Sequence, residues 1–182
     1  MINMFDDFKA INPKKILVIR SSANLFPIVI EELQKTFSET DIDVLVTKGT
    51  NISNWSSKVR GVIELSEEGG FQWRYVRDIK DKLRQASYDM VIVLYNSIKG
   101  YGYLNIDAFA LAAKAKDVIS VNLKKEVARL TMLHFCFKAL YRIINCVWYA
   151  INVVLLFCVI ISMFLGMLIT TPVIAFNKMR KS

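Results

Sequence analysis

Short blocks of apolar residues separated by polar segments fill the first two thirds of the chain, and one long apolar run fills the last third. Lys15 to Arg20 (KILVIR) is a β-branched run with no polar face, the pattern of a strand covered on both sides. Ser21, Ser22, Ala23 and Asn24 make a small polar loop. Pro27 then suits the first turn of a helix, which Ile28, Ile30, Leu33 and Phe37 continue, with Glu31, Glu32 and Lys35 interleaved. Ile42 to Val46 predicts a second strand. Strand, helix and strand in so short a length imply a parallel pair joined by a right-handed crossover.

The alternation continues. Thr47 to Arg60 is a polar loop and Val62 to Leu65 a third strand, after which Glu67, Glu68, Gly69 and Gly70 turn the chain. Trp73, Val76, Ile79, Lys80 and Leu83 recur at helical spacing. Met90 to Leu94 is a wholly apolar strand, and a loop of Gly100, Tyr101, Gly102 and Tyr103 leads to a helix from Leu104 to Lys116. Val118 to Val121 closes the set. Five strands with helices between them predict an α/β fold, a Rossmann-like parallel sheet in a three-layer sandwich over residues 1–122.

From Ile143 to Phe176 there is no Asp, Glu, Lys, Arg or His, a length of 34 residues. Roughly 20 such residues cross the hydrocarbon layer of a bilayer, so 143–177 predicts a transmembrane helix. Tyr141, Trp148 and Tyr149 suit one membrane interface, Thr170, Thr171 and Pro172 the other, with Ala150 to Ile169 inside lipid. Residues 123–142 predict a basic, amphipathic helix leading into it, and 178–182 a basic tail.

Charge follows the same division. The chain carries 24 Lys+Arg against 16 Asp+Glu, a balance that alone would suggest nucleic acid. Residues 1–122 hold 16 of the basic and 15 of the acidic groups, so the excess lies beside the apolar run and nucleic acid is not expected. Lys124, Lys125, Arg129, Lys138 and Arg142 precede that run and Lys178, Arg180 and Lys181 follow it, placed for anionic headgroups. The start of the chain lacks a basic segment followed by an apolar centre, so no signal peptide is expected and the first 122 residues are placed in the cytoplasm. A single span puts the basic tail outside, against the positive-inside tendency; a re-entrant helix is the alternative.

Thr131, His134, Lys138, Arg142, Asn145, Tyr149 and Asn152 follow at steps of three or four, along one side of a helix. Asn145 and Asn152 either face a membrane-protein partner or another copy of the chain, or sit shallow enough to reach headgroups. Ser162, Gly166 and Thr170 repeat at the spacing that lets helices approach closely. Cys136, Cys146 and Cys158 lie in or next to this helix and imply no disulfide framework.

A Rossmann-like sheet binds its ligand at the carboxyl ends of its strands, which directs attention to the loops after Arg20, Val46, Leu94 and Val121. None has a phosphate-cradling glycine motif. Arg20, Ser21, Ser22 and Asn24 offer a guanidinium, two hydroxyls and an amide beside a helix start, suited either to an anion or sugar hydroxyl or to capping the helix. Tyr95, Asn96, Ser97 and Lys99 offer polar contacts to carbohydrate or form an ordinary solvated loop. Glu64, Glu67 and Glu68 are acids near strand ends, without a partner that would make an acid/base pair. One histidine, His134, excludes a Ser-His-Asp triad in those loops and a histidine-rich metal site. No catalytic residue, metal or cofactor is assigned.

The segments Pro13-Lys-Lys-Ile-Leu-Val-Ile-Arg-Ser-Ser22, Pro27 with its helix ending at Phe37, Ile42-Asp-Val-Leu-Val46, Tyr88-Asp-Met-Val-Ile-Val-Leu94 and Ala108 to Lys116 before a strand resemble the N-terminal half of heptosyltransferase-type glycosyltransferases, family 9. The resemblance covers residues 13–122. It implies one Rossmann-like half of a GT-B fold, working in lipopolysaccharide assembly at the cytoplasmic face. That family has a Gly-Asp pair after the Arg-x-Ser-Ser loop, whose Asp is taken as the catalytic base. Here the place reads Asn24-Leu25-Phe26, and the acid usual in the fourth strand is replaced by Val93. The donor-binding second domain is replaced by the membrane helix. The resemblance therefore implies an acceptor-side or accessory half that does not catalyse alone, with a sugar or glycolipid acceptor, a partner subunit and the bilayer as its contacts. A non-enzymatic membrane anchor or scaffold that docks another membrane protein is the alternative.

Overall fold

The computed structural model describes residues 4–51, 55, 57–65, 70–98 and 100–179. Of the residues singled out above, Glu67, Glu68, Gly69, Lys99, Arg180 and Lys181 lie outside that set, as do the side chains of Tyr101, Thr170, Thr171, Pro172 and Lys178. The chain divides into two compact units, Met1–Lys138 and Ala139–Ser182.

The first unit is a mixed α/β layer structure. Among the described residues its sheet has six strands: β1 (Lys15–Ile19), β2 (Asp41–Val46), β3 (Gly61–Glu64), β4 (Met90–Leu94), β5 (Asp117–Val121) and β6 (Val127–Arg129). Their order across the sheet is β3-β2-β1-β4-β5-β6. The first five are parallel, with Val18 opposite Val44 on one side and Ile92 on the other, and β6 is antiparallel to β5.

Helix α1 (Leu25–Thr36) covers one face, and α2 (Trp73–Gln85) with α3 (Leu104–Ala112) covers the other. Because side chains alternate across a strand, Ile16 and Val18 pack with Val29, Ile30 and Leu33 of α1, while Leu17 and Ile19 pack with Leu83 of α2 and Phe109 of α3. Both faces are therefore apolar at the centre of the sheet, which is why β1 and β4 show no polar alternation. Each such Ile or Leu, taken fully out of water, contributes about 2 kcal/mol.

Two boundaries differ from expectation. The sheet has six strands where five were expected, because the chain does not turn helical at Leu123. The Asn122 side-chain oxygen accepts hydrogen bonds from the amides of Lys124 and Glu126, each at 3.0 Å, and Lys125 takes a left-handed conformation with φ 62°. That local turn outcompetes a helix start and sends the chain back along β5 as β6. The helix expected from Leu104 to Lys116 ends at Ala112, with Lys114 left-handed at φ 54°.

The final helix, α4 (Met132–Met179), is 48 residues long. Thr131 caps it, its Oγ1 accepting from the His134 amide at 3.2 Å. From Met132 to Leu168 it is long and apolar enough to cross a bilayer, with a mean hydropathy of 2.7 over its most apolar window and no part of that window buried in protein. At about 1.5 Å per residue α4 measures roughly 70 Å, over twice a hydrocarbon layer of roughly 30 Å.

One buried polar group at the amino end of the sheet is well partnered. The Asp43 carboxylate accepts from Arg60 Nη2 at 3.0 Å and from the Tyr88 hydroxyl at 2.9 Å. Burial and the adjacent carboxylate push the Tyr88 hydroxyl far above its ordinary pKa, so it stays a donor. A Cβ at Gly61 would lie 2.9 Å from Asp43 Oδ1, which leaves glycine as the residue that fits. Asp43→Ala should destabilise the globular unit by about 2 kcal/mol, because the Tyr88 hydroxyl is left buried without an acceptor. Thermal unfolding in detergent, followed by near-ultraviolet circular dichroism, reads it; an unchanged midpoint would show that the carboxylate contributes nothing.

Candidate functional site

The strand order reverses between β1 and β4: β1 leads outward to β2 and β4 leads outward to β5. In an open parallel sheet this switch point leaves a crevice at the carboxyl ends of the strands. The loops after β1 and β4 therefore meet there, joined by a hydrogen bond from the Ser21 hydroxyl to the Leu94 carbonyl.

Arg20 and Ser22 stand out at this edge. The Arg20 amide bonds Leu45 O at 3.0 Å, and its guanidinium lies 5.3 Å from the Phe26 ring centre. Its Nε is nonetheless buried with no hydrogen-bond partner, and burial lowers the pKa of the guanidinium. Ser22 is 2% exposed and its hydroxyl has no partner either. Buried polar groups in native proteins are nearly always bonded, and each orphan costs about 1–3 kcal/mol. Two of them lie beside the start of α1, a position where a ligand can complete them.

The alternative of helix capping is overturned here. Asn24 precedes α1 in a helical conformation with no side-chain cap hydrogen bond, and Ser21 bonds to β4 instead. The Ser22 backbone carbonyl, not its hydroxyl, receives the Phe26 amide, at 3.3 Å. In the loop after β4, Asn96 is exposed and Ser97 Oγ accepts the Gly100 amide at 2.9 Å, closing the turn. Glu64, at the end of β3, accepts the Gly49 amide at 2.7 Å and so bonds to the loop after β2.

Tyr95 belongs to a different cluster. Its hydroxyl donates to Asp107 of α3, and the Lys138 ammonium of α4 donates to Tyr95 Oη at 3.0 Å and to Asp107 Oδ2 at 2.9 Å. The Asp107 side chain is 0% exposed and that of Lys138 11%. Gly100, with φ 66°, makes room for the Tyr95 ring, which would lie 2.6 Å from a Cβ there. Burial raises the Asp107 pKa, and the hydrogen bonds from Tyr95 and Lys138 oppose that rise. Burial and the Asp107 charge push Tyr95 well up.

Lys138 thus meets a carboxylate where a headgroup was expected, because Asp107 needs a counter-charge. Arg129 lies in β6 and pairs with Asp117 at 3.2 Å, while Lys124 and Lys125 are exposed at the tip of the β5–β6 turn. Arg142, Trp148, Tyr149 and Asn145 are exposed on α4. Asn152 donates to Trp148 O at 2.7 Å and Ser162 to Cys158 O at 2.8 Å, so both hydroxyl and amide groups are bonded within their own helix. Gly166, four residues after Ser162, is exposed on the same helix. Asp107 and Asn122 went unnoticed in the sequence, although a lone acid inside the apolar stretch Leu104 to Ala112 is a readable signal of a buried, paired group.

The protein is a Rossmann-like α/β unit followed by one helix with the length and hydropathy of a membrane span. No family model matches the chain, and no curated protein or solved structure matches it.

Replacing Lys138 by Met should cost about 3 kcal/mol of stability at neutral pH, because a buried carboxylate loses its partner. The folded Asp107 carboxyl already holds its proton to higher pH than in the unfolded chain, so its contribution to stability falls as pH rises between those two pKa values. Without Lys138 that interval extends upward. The Lys138→Met loss should then shrink as the pH is lowered from neutrality, and adding Asp107→Asn should restore most of it at neutral pH. Melting curves of the three variants across pH test this; a loss independent of pH would refute it.

Proposed function

We propose that the protein is a membrane-anchored, glycosyltransferase-like half-protein that supports assembly of an envelope polysaccharide or glycolipid as an acceptor-side or accessory subunit. In this reading α4 crosses the bilayer once, or re-enters it, and the sheet lies on the cytoplasmic side. The observation that carries it is the pair of orphaned groups at the switch point, the Ser22 hydroxyl and Arg20 Nε. Unbonded groups that cost stability are tolerated where a ligand completes them. A hydroxyl and a guanidinium beside a helix start suit a phosphorylated or acidic sugar.

The same loop, Arg20-Ser-Ser-Ala-Asn24, holds no carboxylate, so it binds rather than catalyses, and a partner supplies the donor site and the base. Anchoring keeps the loop close to a lipid-linked acceptor, which raises the effective concentration of that acceptor. The alternative reading is a non-enzymatic anchor. What favours it is the Tyr95, Asp107 and Lys138 cluster, whose three polar groups bond one another and fasten the first turns of α4 to α3 and the loop after β4.

Ser22→Ala separates the two. In the ligand-binding reading it should raise the melting temperature of the ligand-free protein, since a buried orphan is removed, and lower retained glycolipid about tenfold. Mass spectrometry of glycolipids that co-purify from gently solubilised membranes measures the second effect. Equal glycolipid on wild type, Ser22→Ala and Arg20→Ala would leave the anchor reading. Protease added to sealed, right-side-out cells should spare the globular unit; cleavage there would reverse its orientation.

A further inference from the structure

The first turns of α4 run toward the carboxyl edge of the sheet. They follow Leu130, whose amide bonds Val118 O near the start of β5 at 2.7 Å, and by Lys138 they reach Tyr95, the residue after β4. The apolar run begins at Ile143, five residues further on, and five residues of chain span no more than about 18 Å. With α4 in a bilayer, this edge is therefore held close to the membrane surface.

The same edge carries an exposed apolar corner. Ile98, in the loop after β4, and Leu123, at the tip of the β5–β6 turn, are 53% and 44% exposed. Asn122 ties them together: its Nδ2 donates to Ile98 O at 2.9 Å, and its Oδ1 takes the Lys124 and Glu126 amides. Turn tips are ordinarily polar, and an apolar side chain gains by leaving water. Among the described residues before α4, Val62 and Trp73 are the other large apolar side chains so exposed, and Trp73 has Phe135 beside it.

Charge distinguishes this corner further. Lys124 and Lys125 are exposed next to Leu123, with no ion pair among the described residues. Glu126, the acid beside them, accepts from Asn122 Nδ2 at 2.7 Å. The amino edge presents the opposite chemistry, with Asp41, Asp89 and Asp117 at its strand starts, held by Arg60, Lys116 and Arg129.

We propose that Ile98, Leu123, Lys124 and Lys125 form a second membrane attachment, seated in the headgroup layer of an anionic bilayer. The two apolar side chains enter the boundary between headgroups and acyl chains, and the two ammonium groups meet lipid phosphates. A single tether limits distance and leaves orientation free. The second contact fixes the carboxyl edge, which also carries Arg20 and Ser22, toward the bilayer. Docking of this corner requires α4 to lie in a bilayer and requires nothing of the Arg20 loop.

The full chain, labelled with 5-fluorotryptophan and held one to a disc in nanodiscs of phosphatidylcholine and phosphatidylglycerol, gains one ¹⁹F signal in Leu123→Trp and one in Glu39→Trp. Glu39 is exposed just before β2, at the amino edge. A lipid with gadolinium chelated at its headgroup should broaden the Leu123→Trp signal and leave the Glu39→Trp signal sharp. Adding Lys124→Gln with Lys125→Gln, or using phosphatidylcholine alone, should lower the ratio of docked to free tip about thirtyfold, and the broadening with it. Equal linewidths in Leu123→Trp and Glu39→Trp would overturn the proposal and leave the corner to a protein partner. Broadening that survives both changes of charge would overturn it as well. Should Leu123→Trp fail to fold, Ile98→Trp reads the same corner with the same outcomes. The signal of Trp148, present throughout, reports α4 itself: Trp148 broadened beside a sharp tip signal ends the docking alone, whereas a sharp Trp148 signal ends the membrane-anchored reading too.

Discussion

A carboxylate with none of its surface in water is the constraint around which the carboxyl edge of this sheet is arranged. Asp107 sits in α3 among apolar residues, where an unpaired charge would cost several kcal/mol. The loop after β4 and the start of α4 converge to prevent that. The loop after β4 brings the Tyr95 hydroxyl, the glycine at position 100 allows its ring to fit, and α4 brings the Lys138 ammonium. One consequence is that α4 begins as part of the globular unit, up to Lys138, and not as a free linker. Trp73 of α2 and Phe135 of α4, with ring centres 6.0 Å apart, add an apolar contact to the same attachment.

The edge-on order of the strands sets where binding can occur. With β1 and β4 adjacent and their connections leaving in opposite directions, the topological switch point falls at their carboxyl ends, the place where open parallel sheets bind ligands. On one side of it the polar groups are mutually satisfied, in the Tyr95 cluster; on the other, Arg20 Nε and Ser22 Oγ are not. That difference separates a fastening from a binding surface. Satisfied networks rigidify, and unsatisfied groups near solvent are the ones a ligand can complete.

Much of the fold was legible because a parallel sheet covered on both faces demands continuous apolar runs, and those runs have no other use. Lys15–Ile19, Asp41–Val46 and Met90–Leu94 announce themselves as strands through short apolar runs rich in Val and Ile. The β5–β6 hairpin was not legible. Its cause is a side-chain oxygen, Asn122 Oδ1, bonding two amides further along, a local arrangement with no periodicity to detect. The candidate site divides in the same way. Arg20, Ser21 and Ser22 were visible from their position after a strand, whereas their contrasting roles, one hydroxyl bonded across the sheet and the next orphaned, depend on what packs beside them.

By itself the sequence determined the three-layer α/β arrangement and an apolar C-terminal helix fit to cross a membrane, since both follow from runs of hydrophobicity that any folded form must bury or hand to lipid. Tertiary structure alone decided the partners of the charges. Lys138 looks like one more cation ahead of an apolar helix, and nothing within several residues of it predicts Asp107, which is 31 positions away. The distinction is physical: burial of apolar surface is non-directional and can be read from composition along the chain, whereas an ion pair or a hydrogen bond exists between particular atoms that the folded backbone brings within about 3 Å.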